Sequence, residues 1–168
     1  MVKHVFKRLL FWLLVLSLAL ASCEGGTVTS GVHGECRHTG PWNPTSTCLL
    51  TIGSIEGTNY TYEVHNDYFR TASNAADVKM TITVGSGTLR VWMQNPDEAI
   101  FDVMVRPGET AELNGLAWVW GGSSDDLAFY IYLEPQGVGD VNRVEDVRIE
   151  FTYTIPGVGN LDAFPRVL

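Results

Sequence analysis

From Cys48 onward, apolar and polar residues alternate in short runs, and turn residues interrupt those runs at regular intervals. Val78, Met80, Ile82 and Val84 alternate with Lys79, Thr81 and Thr83, and Gly85-Ser86-Gly87 turns the chain. Leu89, Val91 and Met93 alternate with Arg90, Trp92 and Gln94, ahead of the turn sequence Asn95-Pro96-Asp97. Phe101, Val103 and Val105 then share a face, with Asp102 and Arg106 opposite. Pro107-Gly108 suits a type II turn, because proline presets φ at the second position and glycine accepts positive φ at the third. Asn114-Gly115 suits a tight hairpin turn. Further on, Leu127, Phe129, Ile131 and Leu133 oppose Ala128, Tyr130, Tyr132 and Glu134. Val147, Ile149, Phe151, Tyr153 and Ile155 oppose Arg148, Glu150, Thr152 and Thr154. Leu50 to Ile52 and Tyr60 to His65 complete a set of about eight strands. One-sided strands need a second layer to bury their apolar faces. The pattern therefore predicts an all-β, antiparallel two-sheet β-sandwich, jelly-roll or immunoglobulin-like. A membrane-spanning barrel would need apolar outer faces, whereas these carry Lys79, Arg90, Asp102, Arg148 and Glu150.

The N-terminus follows a different rule. Lys3, Lys7 and Arg8 precede Leu9 to Ala21, a run in which only Ser17 is polar. That order of charge and apolar residues fits a secretory signal, and the run is short for a membrane span of about 20 residues. It ends in Leu20-Ala21-Ser22-Cys23. This stretch resembles the lipobox of bacterial lipoproteins, in which Leu, two small residues and Cys lead into a Gly-rich or polar segment. The resemblance implies cleavage between Ser22 and Cys23 and a diacylglycerol on the Cys23 sulfur. Each buried CH2 of an acyl chain contributes about 0.8 kcal/mol to anchoring. It also implies a location in the bacterial cell envelope, on the outer membrane if the cell has one. Glu24 mildly favours that outward sorting over retention at an inner membrane. The expected organisation is a lipoprotein signal peptide at 1–22, a flexible tether at 23–47 and a β-sandwich domain at 48–168.

Charge removes one class of partner. Of 168 residues, 19 are acidic and 11 basic, a net charge of −8. Loss of the signal removes three of the basic residues and no acid, leaving Lys79 as the only lysine. Such a body repels DNA and anionic headgroups, so no nucleic-acid partner is expected and the lipid must supply the membrane attachment.

The candidate chemistry is sparse. His33, Cys36, His38 and Cys48 form a loose set of metal-ligand types without a CxxC pair. The alternative is a Cys36–Cys48 disulfide, favoured by export to an oxidising compartment and by the even count once Cys23 is lipidated. Asp125-Asp126, Asp140 and Glu145-Asp146 lie in connections and could meet around Ca2+, or simply keep the surface solvated. No metal site or cofactor is expected. Catalytic motifs are missing, and His65 sits at a strand end with no nucleophile elbow nearby. Aromatics remain. Trp92, Tyr130 and Tyr132 fall on outward faces, where rings can stack on sugars or anchor a protein, and their loss should cost little stability. Trp118 and Trp120 read as possible core residues. The sequence thus predicts a non-catalytic envelope lipoprotein whose sandwich binds or presents something, an envelope protein or a glycan. A carbohydrate-binding module is the alternative, and a small envelope hydrolase using paired acids the third reading.

Overall fold

The computed structural model describes residues 26–38, 45–66, 74–121, 127–137 and 142–156. The described residues are strands and turns, with no helix. Eight strands form the body: β3 (Thr45–Glu56), β4 (Tyr60–His65), β5 (Ala75–Thr83), β6 (Thr88–Gln94), β7 (Ile100–Val105), β8 (Ala111–Trp118), β10 (Leu127–Gln136) and β11 (Arg143–Thr154). Three short ones accompany them: β1 (Val28–Ser30), β2 (His33–His38) and β9 (Trp120–Gly121). One sheet runs β3-β11-β5-β8, with β1 and β2 on the free edge of β3; the other runs β4-β10-β6-β7, with β9 beside β10. Every pairing is antiparallel. This order of two four-stranded layers is the jelly-roll form of the expected sandwich.

The alternation seen in the sequence sets the core. In β5 and β11 every second residue is buried over most of the strand. Phe129 of one sheet meets Phe151 and Tyr153 of the other edge-on, at centroid distances of 6.4 and 5.3 Å. Gly108 adopts φ +79° and the Glu109 amide donates to the Arg106 carbonyl, the expected type II turn. At the other turn, Asn95 Oδ1 accepts from the amides of Asp97 and Ala99.

Two expectations fail. Asn114-Gly115 is no turn but the middle of β8, paired with Lys79 and Val78. The glycine serves packing, since a Cβ there would lie 2.8 Å from the Phe101 ring of β7. The tether expected at 23–47 does not hold for residues 28–38 or 45–47. Thr45 already opens β3, and β1 and β2 pair along its edge in one continuous register, from Val28↔Glu56 to His38↔Ser46. The Gly, Thr, Ser and Pro content of that stretch reads as linker. An edge strand, however, needs only backbone hydrogen bonds on one side and little apolar surface. Gly34 leaves the space taken by the Tyr62 hydroxyl from the opposite sheet. Residues 1–25, including Cys23, lie outside the described residues.

The six-stranded sheet is creased. Register places Gly31 opposite Gly53, Gly53 opposite Asp146, and Asp146 opposite Gly85. Across this row the alternation slips: Ile52 and Ile55 both point inward, as do Val144 and Val147. Pairing keeps one register through the row, so no strand carries an extra residue; each strand only changes which residues face the core. Positive φ at Gly31 (61°) and Asp146 (53°) accommodates the slip.

Candidate functional site

Antiparallel register decides which outward rings are neighbours. Tyr132 of β10 pairs with Trp92 of β6 on one side and with Thr61 of β4 on the other. Tyr130 lies two residues along the same face, and Trp120 of β9 pairs with Ala128 beside it. The result is a continuous aromatic stripe across the outside of the five-stranded sheet. Trp92 and Tyr132 stack at 3.8 Å with 8° between their planes. Tyr130 lies 6.3 Å from Tyr132 and 4.9 Å from Trp120, and Trp118 continues the stripe 5.7 Å from Trp120. All three rings singled out from the sequence are therefore brought together. Trp118 and Trp120, read there as possible core, join them on the outside; Val119 between them is the buried residue.

Burial along the stripe is uneven, which corrects the expectation that each ring stands free. Tyr130 keeps only 8% of its surface exposed, because its neighbours cover it. Trp92 and Tyr132 are half-buried, and Trp120 is exposed. Burial raises the phenol pKa of both Tyr130 and Tyr132, and the Glu63 carboxylate raises both further. At 3.8 Å two parallel rings have little room to slide past one another. Their normals must run across the strands, so their edges face solvent and each covers a face of the other.

Charged groups border the stripe. Arg90 is clamped between Asp102 at 2.7 Å and Glu134 at 3.2 Å, which raises its pKa and holds it cationic. The Glu63 carboxylate accepts from His65 Nε2 at 3.1 Å on the opposite margin. Ile100 and Met104 of β7 extend the apolar part and are exposed.

The other candidates come apart. Cys36 and Cys48 face each other across β2 and β3 and are joined by a disulfide, which removes both sulfurs from any metal site. Among the described residues, no three His, Cys, Asp or Glu side chains converge as metal ligands. Asp125, Asp126 and Asp140 lie outside the described residues. Glu145 is engaged by Arg143 at 2.7 Å and by the Ser86 hydroxyl, while Asp146 lies in the crease against Gly85. A shallow depression of about 520 Å³ lies over that crease, bordered by Thr51, Asp146 and Arg148. Its arginine is already bonded to Glu150 at 2.6 Å. No helix among the described residues is long and apolar enough to cross a membrane.

No protein-family model and no curated protein matches the chain. Solved structures with a similar trace include an oxalate oxidase (12% identity, TM-score 0.34, covering 69% of this chain and 44% of that one). They include the oxalate decarboxylase of Bacillus subtilis (13% identity, TM-score 0.34, covering 74% of this chain and 26% of that one). A protein of the disulfide-linked pili of Bacillus endospore appendages is similar at 12% identity and TM-score 0.35, covering 72% of this chain and 96% of that one. The chain thus spans less than half the length of the first two. At this level the likeness adds nothing to the β-sandwich described above.

Proposed function

We propose that this chain is a lipid-anchored protein of the bacterial cell envelope, attached through Cys23, with a non-catalytic sandwich that binds a partner outside the membrane. The observation that carries the reading is the sequence Leu20-Ala21-Ser22-Cys23 behind a cationic start and an apolar run. The Cys36–Cys48 disulfide supports it, because such bonds persist in oxidising compartments. The aromatic stripe is the binding surface in this reading, its composition being that of interface centres. Sugar binding is the weaker form of the idea, since a pyranose stacks on a ring face and Trp92 and Tyr132 present edges. The test is the intact mass of the protein purified from membranes. A chain beginning at Cys23 with acyl mass is expected, and Cys23→Ser should leave the precursor uncleaved and without lipid. A mature chain beginning elsewhere, or beginning at Cys23 without acyl mass, refutes the anchor.

A further inference from the structure

The geometry points to a cationic protein surface bearing apolar side chains as the occupant of the outer face of the five-stranded sheet, an inference that rests on the binding reading above. Register lays the face out in rows. Thr61, Tyr132, Trp92 and Asp102 form one, and Glu134, Arg90 and Met104 the next. On the other side of the first row, Glu63 pairs with Tyr130 and Gln94 with Ile100. The rings run from Trp92 through Tyr132 and Tyr130 to Trp120, and Ile100 and Met104 of β7 lie on the same face, diagonal to Trp92 on either side of Asp102. Ile100, Met104 and Trp120 are 54, 42 and 36% exposed.

Among the described residues, three carboxylates, Glu63, Asp102 and Glu134, and the Arg90 guanidinium stand around this strip, while Arg106 beyond Met104 is paired with Glu109 at 4.0 Å. Arg90 is bonded to two of the three acids, so the face stays negative even where it is paired. A partner that complements it must bring positive charge to the margins and apolar groups to the middle. A second copy of this chain would set acid against acid, with a net charge of −8 on each. An anionic membrane would be repelled in the same way. The face is four strands wide and roughly six residues long, about 20 Å by 20 Å. That is about half of the 800 Å² per side of an ordinary stable interface, so the contact is a weak, reversible one.

The test uses the full chain in non-ionic detergent and follows tryptophan fluorescence. The probes are a synthetic peptide of alternating Lys and Leu, its Glu-Leu counterpart, and a cello-oligosaccharide. Binding of the Lys-Leu peptide alone, in the micromolar range, is expected. Trp92→Ala should weaken it at least tenfold. The pair Glu63→Gln and Glu134→Gln should do the same. The pair Glu112→Gln and Glu150→Gln removes equal charge from the outer face of the other sheet and should change binding by less than twofold. If both pairs weaken binding equally, the attraction is one of overall charge and the proposal falls. It falls too if the Glu-Leu peptide or the oligosaccharide binds instead, or if the Lys-Leu peptide does not bind. Should Trp92→Ala fail to fold, the exposed Glu63→Gln alone decides, with a several-fold loss expected. None of these readings depends on acylation, so a missing lipid overturns the anchor and leaves this result standing.

Discussion

Tyr130→Ala separates a ring that belongs to the fold from rings that merely decorate it. Tyr130 points away from the core, yet only 8% of it meets solvent, because Trp120 and Tyr132 close over it. An aromatic side chain buries roughly 150–250 Å². At about 25 cal/mol per Å², full burial is worth about 4–6 kcal/mol. Truncation leaves the Cβ in place and lets the neighbours settle partway into the gap, so the loss should be about 3 kcal/mol, close to that of a core aromatic. For a domain of this size each kcal/mol moves the melting temperature by roughly 4 °C, giving a fall of about 12 °C. Tyr130→Phe keeps the ring and should lie within about 1 kcal/mol of the parent, since only an outward hydroxyl is lost. Half-exposed Trp92, truncated in the same way, should lose less than Tyr130→Ala. Circular-dichroism melts of the three variants give the order directly. A loss below about 0.5 kcal/mol for Tyr130→Ala, the range of free surface positions, would mean that the cover over this ring does not form in solution.

Other consequences are quicker to state. Replacing Cys36 and Cys48 together by Ala should cost about 3 kcal/mol, the chain-entropy value for so short a ring. Hydrogen exchange should show β2 amides losing protection while β11 keeps it. Gly115→Val should destabilise by about 1–3 kcal/mol by driving a side chain into the Phe101 ring, read from urea titration. Burial raises the pKa of Tyr60, Tyr62, Tyr130 and Tyr132 above the ordinary value of 10.0. A raised folded pKa means the unfolded chain gives up its phenolic protons first. Stability from this source is therefore complete below pH 10.0 and drains away as pH rises through the folded values. Absorbance at about 295 nm should show these phenols ionising late and together with unfolding; ordinary titration of all tyrosines would contradict it.

The body of the fold was legible because strands buried on one side write their facing into the sequence. The runs 78–84, 89–93 and 147–155 needed no more than a period of two to give their inward faces. Residues 28–38 were not legible, because an edge strand leaves no period and its partner lies in β3, up to 28 positions away. Asn114-Gly115 misled for a related reason. Local turn chemistry was right for a hairpin, but the glycine answered to Phe101 on another strand. Which way Trp92, Tyr130 and Tyr132 point was readable from alternation. That they touch was not, since contact depends on the β10–β6 register. Trp120 was missed for want of a run: a two-residue strand has no alternation to detect, although its place just outside buried Val119 was the one available clue.

The disulfide has a mechanical side. It joins the edge strand to β3 at Cys36, near the far end of the pairing, so everything from Gly26 to Glu35 is held only by hydrogen bonds and side-chain contacts. A pull on the N-terminal side can peel that stretch away residue by residue, beginning at Val28. Peeling must stop at Cys36, where load passes through a covalent bond into β3, which is paired with β11 along nearly its whole length. The stretch can lengthen to roughly 35 Å before that point. Under tension the edge of the sheet becomes a leash of fixed maximum length, and the sandwich and its aromatic stripe stay folded at the end of it.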